Sequence, residues 1–173
     1  MRKRSIAAAG IMVMCLGLMA CGSASNTGSS NTATQAASTS SAGYVYTSNG
    51  TDIKINDDVN AIVSKLGTPK GGTYEAKSCA FDGMDKFWYY DGFTLQAYQK
   101  DGKDVVYSVT FTDDTVKTKE GVKIGDSKDK VTQAYGSSFK ENNGQLVYES
   151  GNMKLSFGMK DNNVQSVIYE LKQ

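Results

Sequence analysis

Gly121-Val122-Lys123-Ile124-Gly125-Asp126-Ser127-Lys128-Asp129-Lys130-Val131-Thr132-Gln133-Ala134-Tyr135-Gly136 is the second appearance of a pattern. The first is Asp52-Ile53-Lys54-Ile55-Asn56-Asp57-Asp58-Val59-Asn60-Ala61-Ile62-Val63-Ser64-Lys65-Leu66-Gly67, which aligns without a gap 69 residues earlier. Lys54/Lys123, Ile55/Ile124, Asp57/Asp126 and Gly67/Gly136 are identical, and Ile53/Val122, Ile62/Val131 and Leu66/Tyr135 stay apolar. A repeated segment of this kind reads as one supersecondary unit built twice. Each copy spells a short strand, a cap and a helix. Ile53 and Ile55 alternate with polar neighbours, as in a half-buried strand. Asp57 and Asp126 are expected to cap the helices, accepting from free N–H groups and complementing the positive helix end. Metal ligation by this pair is the weaker reading. Val59, Ile62, Val63 and Leu66 recur at helical spacing along one face, and Val131, Ala134 and Tyr135 repeat part of it. Gly67 and Gly136 are expected as left-handed C-terminal caps, and Pro69 stops the first helix from continuing.

Strands follow each helix. In the first copy the expected strands are Thr73–Phe81, Phe87–Tyr90, Phe93–Lys100 and Val105–Thr112, with turns at Asp91-Gly92 and Asp101-Gly102. In the second they are Gln145–Glu149, Met153–Lys160 and Val164–Leu171. Leu95 aligns with Leu155, and Ser108-Val109 with Ser166-Val167, so length differences fall in loops. The chain therefore reads as α+β, with a domain over 43–173 made of units at about 43–114 and 115–173.

The first 42 residues read differently. Arg2, Lys3 and Arg4 precede an apolar run that ends in small residues, the layout of a signal peptide over 1–20. Leu18-Met19-Ala20-Cys21 resembles the lipobox of bacterial lipoproteins, which implies lipidation of Cys21 and, through two or more acyl chains such as palmitate, stable anchoring. Residues 22–42 hold only Gly, Ala, Ser, Thr, Asn and Gln, a tether with too little apolar surface to offset its ordering entropy. The expected location is the extracytoplasmic face of the cell membrane.

Composition narrows the chemistry. Beyond the basic leader the chain carries 16 basic and 18 acidic residues, which leaves no basic stripe for nucleic acid. There is no histidine in the chain, so the usual general base and metal ligand is missing. No phosphate loop or nucleophile elbow is spelled out. The acidic turn residues Asp101, Asp104, Asp113, Asp114 and Asp161 lack calcium-loop spacing. No enzyme activity, cofactor or metal is expected. With Cys15 in the leader and Cys21 lipidated, Cys79 has no disulfide partner and is expected to be a small buried hydrophobe.

The motif Ile124-Gly125-Asp126, Val131, Tyr135-Gly136, echoed by Ile55, Asp57, Ile62 and Leu66-Gly67-Thr68-Pro69 and followed by Trp88 and Tyr90, resembles the β-lactamase-inhibitor-protein-like domain. More distantly it is similar to the small lipoprotein of the outer-membrane β-barrel assembly machine. The first resemblance implies two tandem helix-plus-hairpin units forming one antiparallel sheet, helices on one face and a partner gripped by the other. The disulfides of the secreted inhibitors have no counterpart here. With Leu95, Ala97, Met153, Leu155 and Phe157 facing the helices, Gln96, Tyr98, Lys154, Ser156 and Gly158 face outward. Trp88 and Tyr90 share one side of their strand, and with Tyr98 they are expected to form one exposed aromatic surface for a protein or peptide partner. The bland alternative is that these aromatics fill the core, with Phe87 and Tyr89 then taking the open side. A structural role in an envelope assembly machine is the second functional reading.

Overall fold

The computed structural model describes residues 43–173; the leader, Cys21 and the tether lie outside the described residues. The described residues form a mixed α+β architecture, with two helices and a large antiparallel sheet. A hairpin of β1 (Tyr46–Ser48) and β2 (Thr51–Ile53) leads to α1 (Val59–Leu66). The meander β3 (Thr73–Lys77), β4 (Met84–Tyr90), β5 (Phe93–Lys100) and β6 (Lys103–Phe111) follows. Then come α2 (Lys128–Tyr135) and a second meander: β7 (Lys140–Asn142), β8 (Gln145–Ser150), β9 (Met153–Lys160) and β10 (Asn163–Leu171). The eight meander strands join in the order β3-β4-β5-β6-β10-β9-β8-β7, so the last strands of the two meanders meet at the centre.

Both helices are tied to the sheet by the same backbone bonds. Asn56 N–H donates to Val106 C=O (2.9 Å) and Val106 N–H to Asp57 C=O (2.9 Å). Gly125 N–H donates to Val164 C=O (2.8 Å) and Val164 N–H to Asp126 C=O (2.8 Å). Asn56 (φ 70°) and Gly125 (φ 91°) both turn with positive φ to make this contact. The caps fall one residue later than expected. Asp58 accepts from Asn60 N–H (2.9 Å), and Ser127 from Lys130 N–H (3.3 Å). Asp57 and Asp126 are not the caps because their carbonyls are committed to β6 and β10. Asp126 instead accepts from Lys123 N–H (2.8 Å) and the Lys130 ammonium (2.8 Å).

The helices end alike. Gly67 (φ 80°, ψ −169°) and Gly136 (φ 81°, ψ −178°) occupy an extended positive-φ region open essentially to glycine, not the left-handed helical one. A tyrosine from the sheet satisfies each free cap carbonyl. Tyr90 Oη donates to Gly67 C=O (3.1 Å), and Tyr148 Oη to Gly136 C=O (2.8 Å). Partial burial pushes the Tyr148 hydroxyl up to about 12, so it remains a donor at any physiological pH.

Tyr90 pairs across its hairpin with Phe93, and Tyr148 with Leu155. Leu155 therefore corresponds to Phe93, not to Leu95 as the linear alignment had it. The β8–β9 hairpin is longer and the β9–β10 hairpin shorter than their counterparts, so the offset changes along the meander. A bulge recurs at the same place in both halves, between Val106 and Ser108 and between Val164 and Ser166.

The core joins one sheet face to the helices. Leu95, Val109, Phe157 and Val167 pack with Val59, Ile62 and Val131 in one buried cluster. The β1–β2 hairpin, not expected as such, enters this layer. Asn49 (φ 48°) and Gly50 (φ 74°) make the tight turn that Asn-Gly favours. Tyr46, 2% exposed, then sits against Phe93 (5.1 Å), Phe111 (5.1 Å) and Tyr169 (6.0 Å), side chains from both meanders. β2 ends at Ile53, and Ile55 lies in the loop that climbs to β6.

Two outcomes are expected. Tyr46→Ala removes a buried ring that bridges both meanders and should cost about 3–5 kcal/mol in urea denaturation, within a single cooperative transition. Asp126 supplies the second. Burial disfavours its charge, but hydrogen bonds from Lys130 and Lys123 N–H prevail and hold its carboxyl below the usual range. Its contribution is therefore complete above the ordinary carboxylate pKa and is lost as pH falls through the depressed value. Asp126→Asn should cost about 1–2 kcal/mol at neutral pH and soften the acid limb of the stability profile. Asp57→Asn should cost less at neutral pH, since Ala61 stands where Lys130 stands.

Candidate partner-binding surface

The register of β4 on β5 separates the three aromatics that the sequence grouped together. Trp88 lies opposite Leu95 and Tyr90 opposite Phe93, so both point to the helix face. Phe87 lies opposite Gln96 and Tyr89 opposite Thr94, on the uncovered face. Phe87-Trp88-Tyr89-Tyr90 is apolar at every position, so its alternation carries no phase of its own; the pairing with β5 sets it. Tyr90 stacks on Phe93 (5.1 Å, 18°) and receives the end of α1. Trp88, half-buried, lines a groove of about 380 Å³ with Val63, Gly67, Pro69 and Thr73. Tyr98 does lie on the other face, but it is only 6% exposed. Phe81, from the loop after β3, covers it at 4.3 Å, and its Oη donates to Asn56 Oδ1 (2.8 Å). One aromatic surface made of Trp88, Tyr90 and Tyr98 therefore does not exist in this fold.

The open aromatics are others. Tyr74, 57% exposed, pairs across strands with Phe87, their rings 6.0 Å apart. Tyr89, 37% exposed, stands beside them on the same face. The chain before β3 is shaped to Tyr89. Gly71 N–H donates to Tyr89 C=O (2.9 Å), and a Cβ on Gly71 would lie 2.6 Å from the Tyr89 Cβ, so no larger residue fits there. Tyr74 escaped the sequence reading because only the β3–β4 register places it next to Phe87. The length of β3 also changed the reading of Cys79. The strand ends at Lys77, and Cys79 lies exposed in the following loop rather than buried as a small hydrophobe.

The second meander provides an internal control. Matching Tyr90 with Tyr148 places Leu146 at Trp88, Gln145 at Phe87 and Val147 at Tyr89. At these positions the helix side stays apolar in both halves, whereas on the open side Phe87 and Tyr89 in one half match Gln145 and Val147 in the other. Beyond them the open side of the second half carries ion pairs: Lys154–Glu170 (3.3 Å), Lys140–Glu149 (2.8 Å) and Lys172–Glu149 (2.8 Å). Hydrogen bonds from Lys140 and Lys172 draw the Glu149 carboxyl down to about 2. The aromatic patch is thus confined to the β3–β4 edge.

Other clefts hold less. Asp114, Lys123 and Lys130 line a second groove, of about 390 Å³, but the two lysines are engaged by Asp114 (3.3 Å) and Asp126 (2.8 Å). Among the described residues no three His, Cys, Asp or Glu side chains gather as a metal site. In comparisons with known proteins, no family model matches the chain, and no curated protein or solved structure shows significant similarity to it.

The two faces of β4 make different demands on stability. Tyr74→Ala and Tyr89→Ala should each change unfolding free energy by no more than about 0.5 kcal/mol, as exposed residues do. Trp88→Ala should cost roughly 2 kcal/mol, less than a fully buried aromatic because the groove leaves it half in solvent. Urea denaturation followed by far-ultraviolet circular dichroism separates the two classes.

Proposed function

We propose that this protein is a lipoprotein held through Cys21 at the extracytoplasmic face of the cell membrane. In this reading it binds a protein or peptide partner, as an inhibitor or adaptor, through the uncovered face of its sheet. The observation that carries the reading is the restriction of Tyr74, Phe87 and Tyr89 to the open side of one meander, with Gln145 and Val147 at the matching places in the other. Exposed rigid aromatics cost little side-chain entropy on binding and dominate interface energetics. A purely structural sheet face is served by the ion pairs of the second half.

The resemblance to the β-lactamase-inhibitor-protein-like domain belongs to the same proposal. Its support is the repeated Ile-x-Asp and Gly motif together with matching clamps, caps and tyrosine bonds, which suit a tandem duplication of one helix-plus-hairpin unit. The partner site moves from Trp88, Tyr90 and Tyr98 to Tyr74, Phe87 and Tyr89. Binding without catalysis, cofactor or metal accords with a chain that has no histidine. The lipid anchor rests on Leu18-Met19-Ala20-Cys21.

Two measurements test this. Cys21→Ser should move the protein from the membrane fraction into the soluble exported fraction; retention in the membrane rejects the anchor. For binding, the chain is immobilised and exposed to envelope and secreted fractions, and the retained species is identified. The double change Tyr74→Ala/Tyr89→Ala should weaken capture roughly 30-fold or more. The mirror change Gln145→Ala/Val147→Ala should leave it unaltered. A partner equally insensitive to both pairs would place the site elsewhere.

A further inference from the structure

We infer that β3 is a dimerisation edge, on which a second copy of this chain adds its own β3 antiparallel, centred on Ala76, so that two sheets become one. This goes beyond partner binding by the open face and does not depend on it.

The hydrogen-bond phase of β3 is fixed at both ends. Tyr89 N–H donates to Gly72 C=O (3.0 Å), and Ser78 N–H donates to Gly83 C=O (3.1 Å). Between them Thr73 pairs with Trp88, Tyr74 with Phe87, Glu75 with Lys86, Ala76 with Asp85 and Lys77 with Met84. In an antiparallel ladder bonded and non-bonded pairs alternate. Tyr74 and Ala76 therefore turn their N–H and C=O groups toward β4. Thr73, Glu75 and Lys77 turn theirs outward, away from the sheet.

The opposite edge is much shorter than this one. β7 has three residues, and its charges are engaged through Lys140–Glu149 (2.8 Å) and Glu141–Lys128 (3.4 Å). β3 has five residues and no proline. Glu75 meets Lys86 only at 4.0 Å, while Lys86 is held by Asp104 at 2.7 Å. An edge of this length offers unpaired N–H and C=O groups to another strand, and its own charges, Glu75 and Lys77, bar strands that do not complement them.

Charge selects the occupant and the register. A second β3 centred on Ala76 sets Glu75 opposite Lys77 of the other copy, and Lys77 opposite its Glu75, as two backbone-bonded pairs. Opposite charges directly across a ladder attract. The small Ala76 then faces itself in the close non-bonded position at the two-fold axis. Centring on Glu75 or on Lys77 sets like charges against each other, and centring on Tyr74 leaves both charges without a partner. In the joined sheet the Tyr74–Phe87 pairs of both copies share one face, which enlarges the open aromatic surface.

The test is sedimentation equilibrium of the full chain in mild detergent over a concentration series. Glu75→Lys alone and Lys77→Glu alone each turn both attractive pairs repulsive and should raise the dimer dissociation constant roughly tenfold. The double change Glu75→Lys/Lys77→Glu restores complementarity and should return it to near the parent value. Glu75→Pro removes an outward N–H without touching the bonds to β4, and should abolish the dimer while circular dichroism stays unchanged. Tyr89→Ala should leave dimerisation intact, which separates this site from the partner surface. A chain that stays monomeric at all concentrations overturns the inference, as does a dimer indifferent to the single charge reversals or one that the double reversal does not restore.

Discussion

Two backbone bonds hold each helix of this protein over the last strand of its own meander, and most of the fold follows from them. They fix Asn56 and Gly125 at positive φ, commit the carbonyls of Asp57 and Asp126, and so push the cap to the next residue. With the N-terminus of each helix fixed, Tyr90 and Tyr148 reach the cap glycines and fix the other end. The helices then have no freedom to slide on the sheet. Burying their short apolar faces, Val59 with Ile62 and Val131 with Ala134, suffices to hold eight-residue helices that would be marginal in isolation. The β6–β10 pairing and Tyr46 make the two arrangements one core.

Much of this was legible in the sequence where a residue had a local reason. The repeat, both helices and their glycine ends, and the Asp91-Gly92 and Asp101-Gly102 hairpins lie where spacing and turn chemistry put them. What failed was phase. Phe87-Trp88-Tyr89-Tyr90 is apolar throughout, and only its pairing with Leu95 and Phe93, whose own alternation is clear, decides which rings are covered. Tyr98 was placed on the correct face yet is buried, because Phe81 folds back over it from a loop that periodicity cannot trace. The β1–β2 hairpin was missed although Asn49-Gly50 between Tyr46-Thr47-Ser48 and Thr51-Asp52-Ile53 is a strong turn signal. It closely follows the polar run 22–42, which concealed it.

The two meanders also separate what the fold requires from what it permits. Positions that carry the architecture hold similar chemistry in both: a positive-φ turn, a cap, a glycine end, a tyrosine donor, and apolar residues facing the helices. Differences collect on the open side and at the outer edges. A fold constraint cannot explain Tyr74, Phe87 and Tyr89 there, because the second half builds the same geometry with Gln145 and Val147 and binds its surface with ion pairs. Solvent exposure of large rings has an aggregation cost, and here it is confined to one edge of the sheet.

The described chain begins far from that edge. Tyr44 N–H donates to Met153 Sδ (3.0 Å), and the Tyr44 ring packs on Tyr135 (5.9 Å), so the polypeptide arrives beside β9 and α2, in the second half. The aromatic edge is β3–β4, at the other side of an eight-stranded sheet. With strands about 4.8 Å apart, the entry point and the patch are separated by roughly 20 Å. The first described residues and the aromatic edge therefore lie in different halves of the sheet. The division of the open face into an ionic and an aromatic half thus follows the division of the sheet into its two meanders, and the described chain begins on the ionic side.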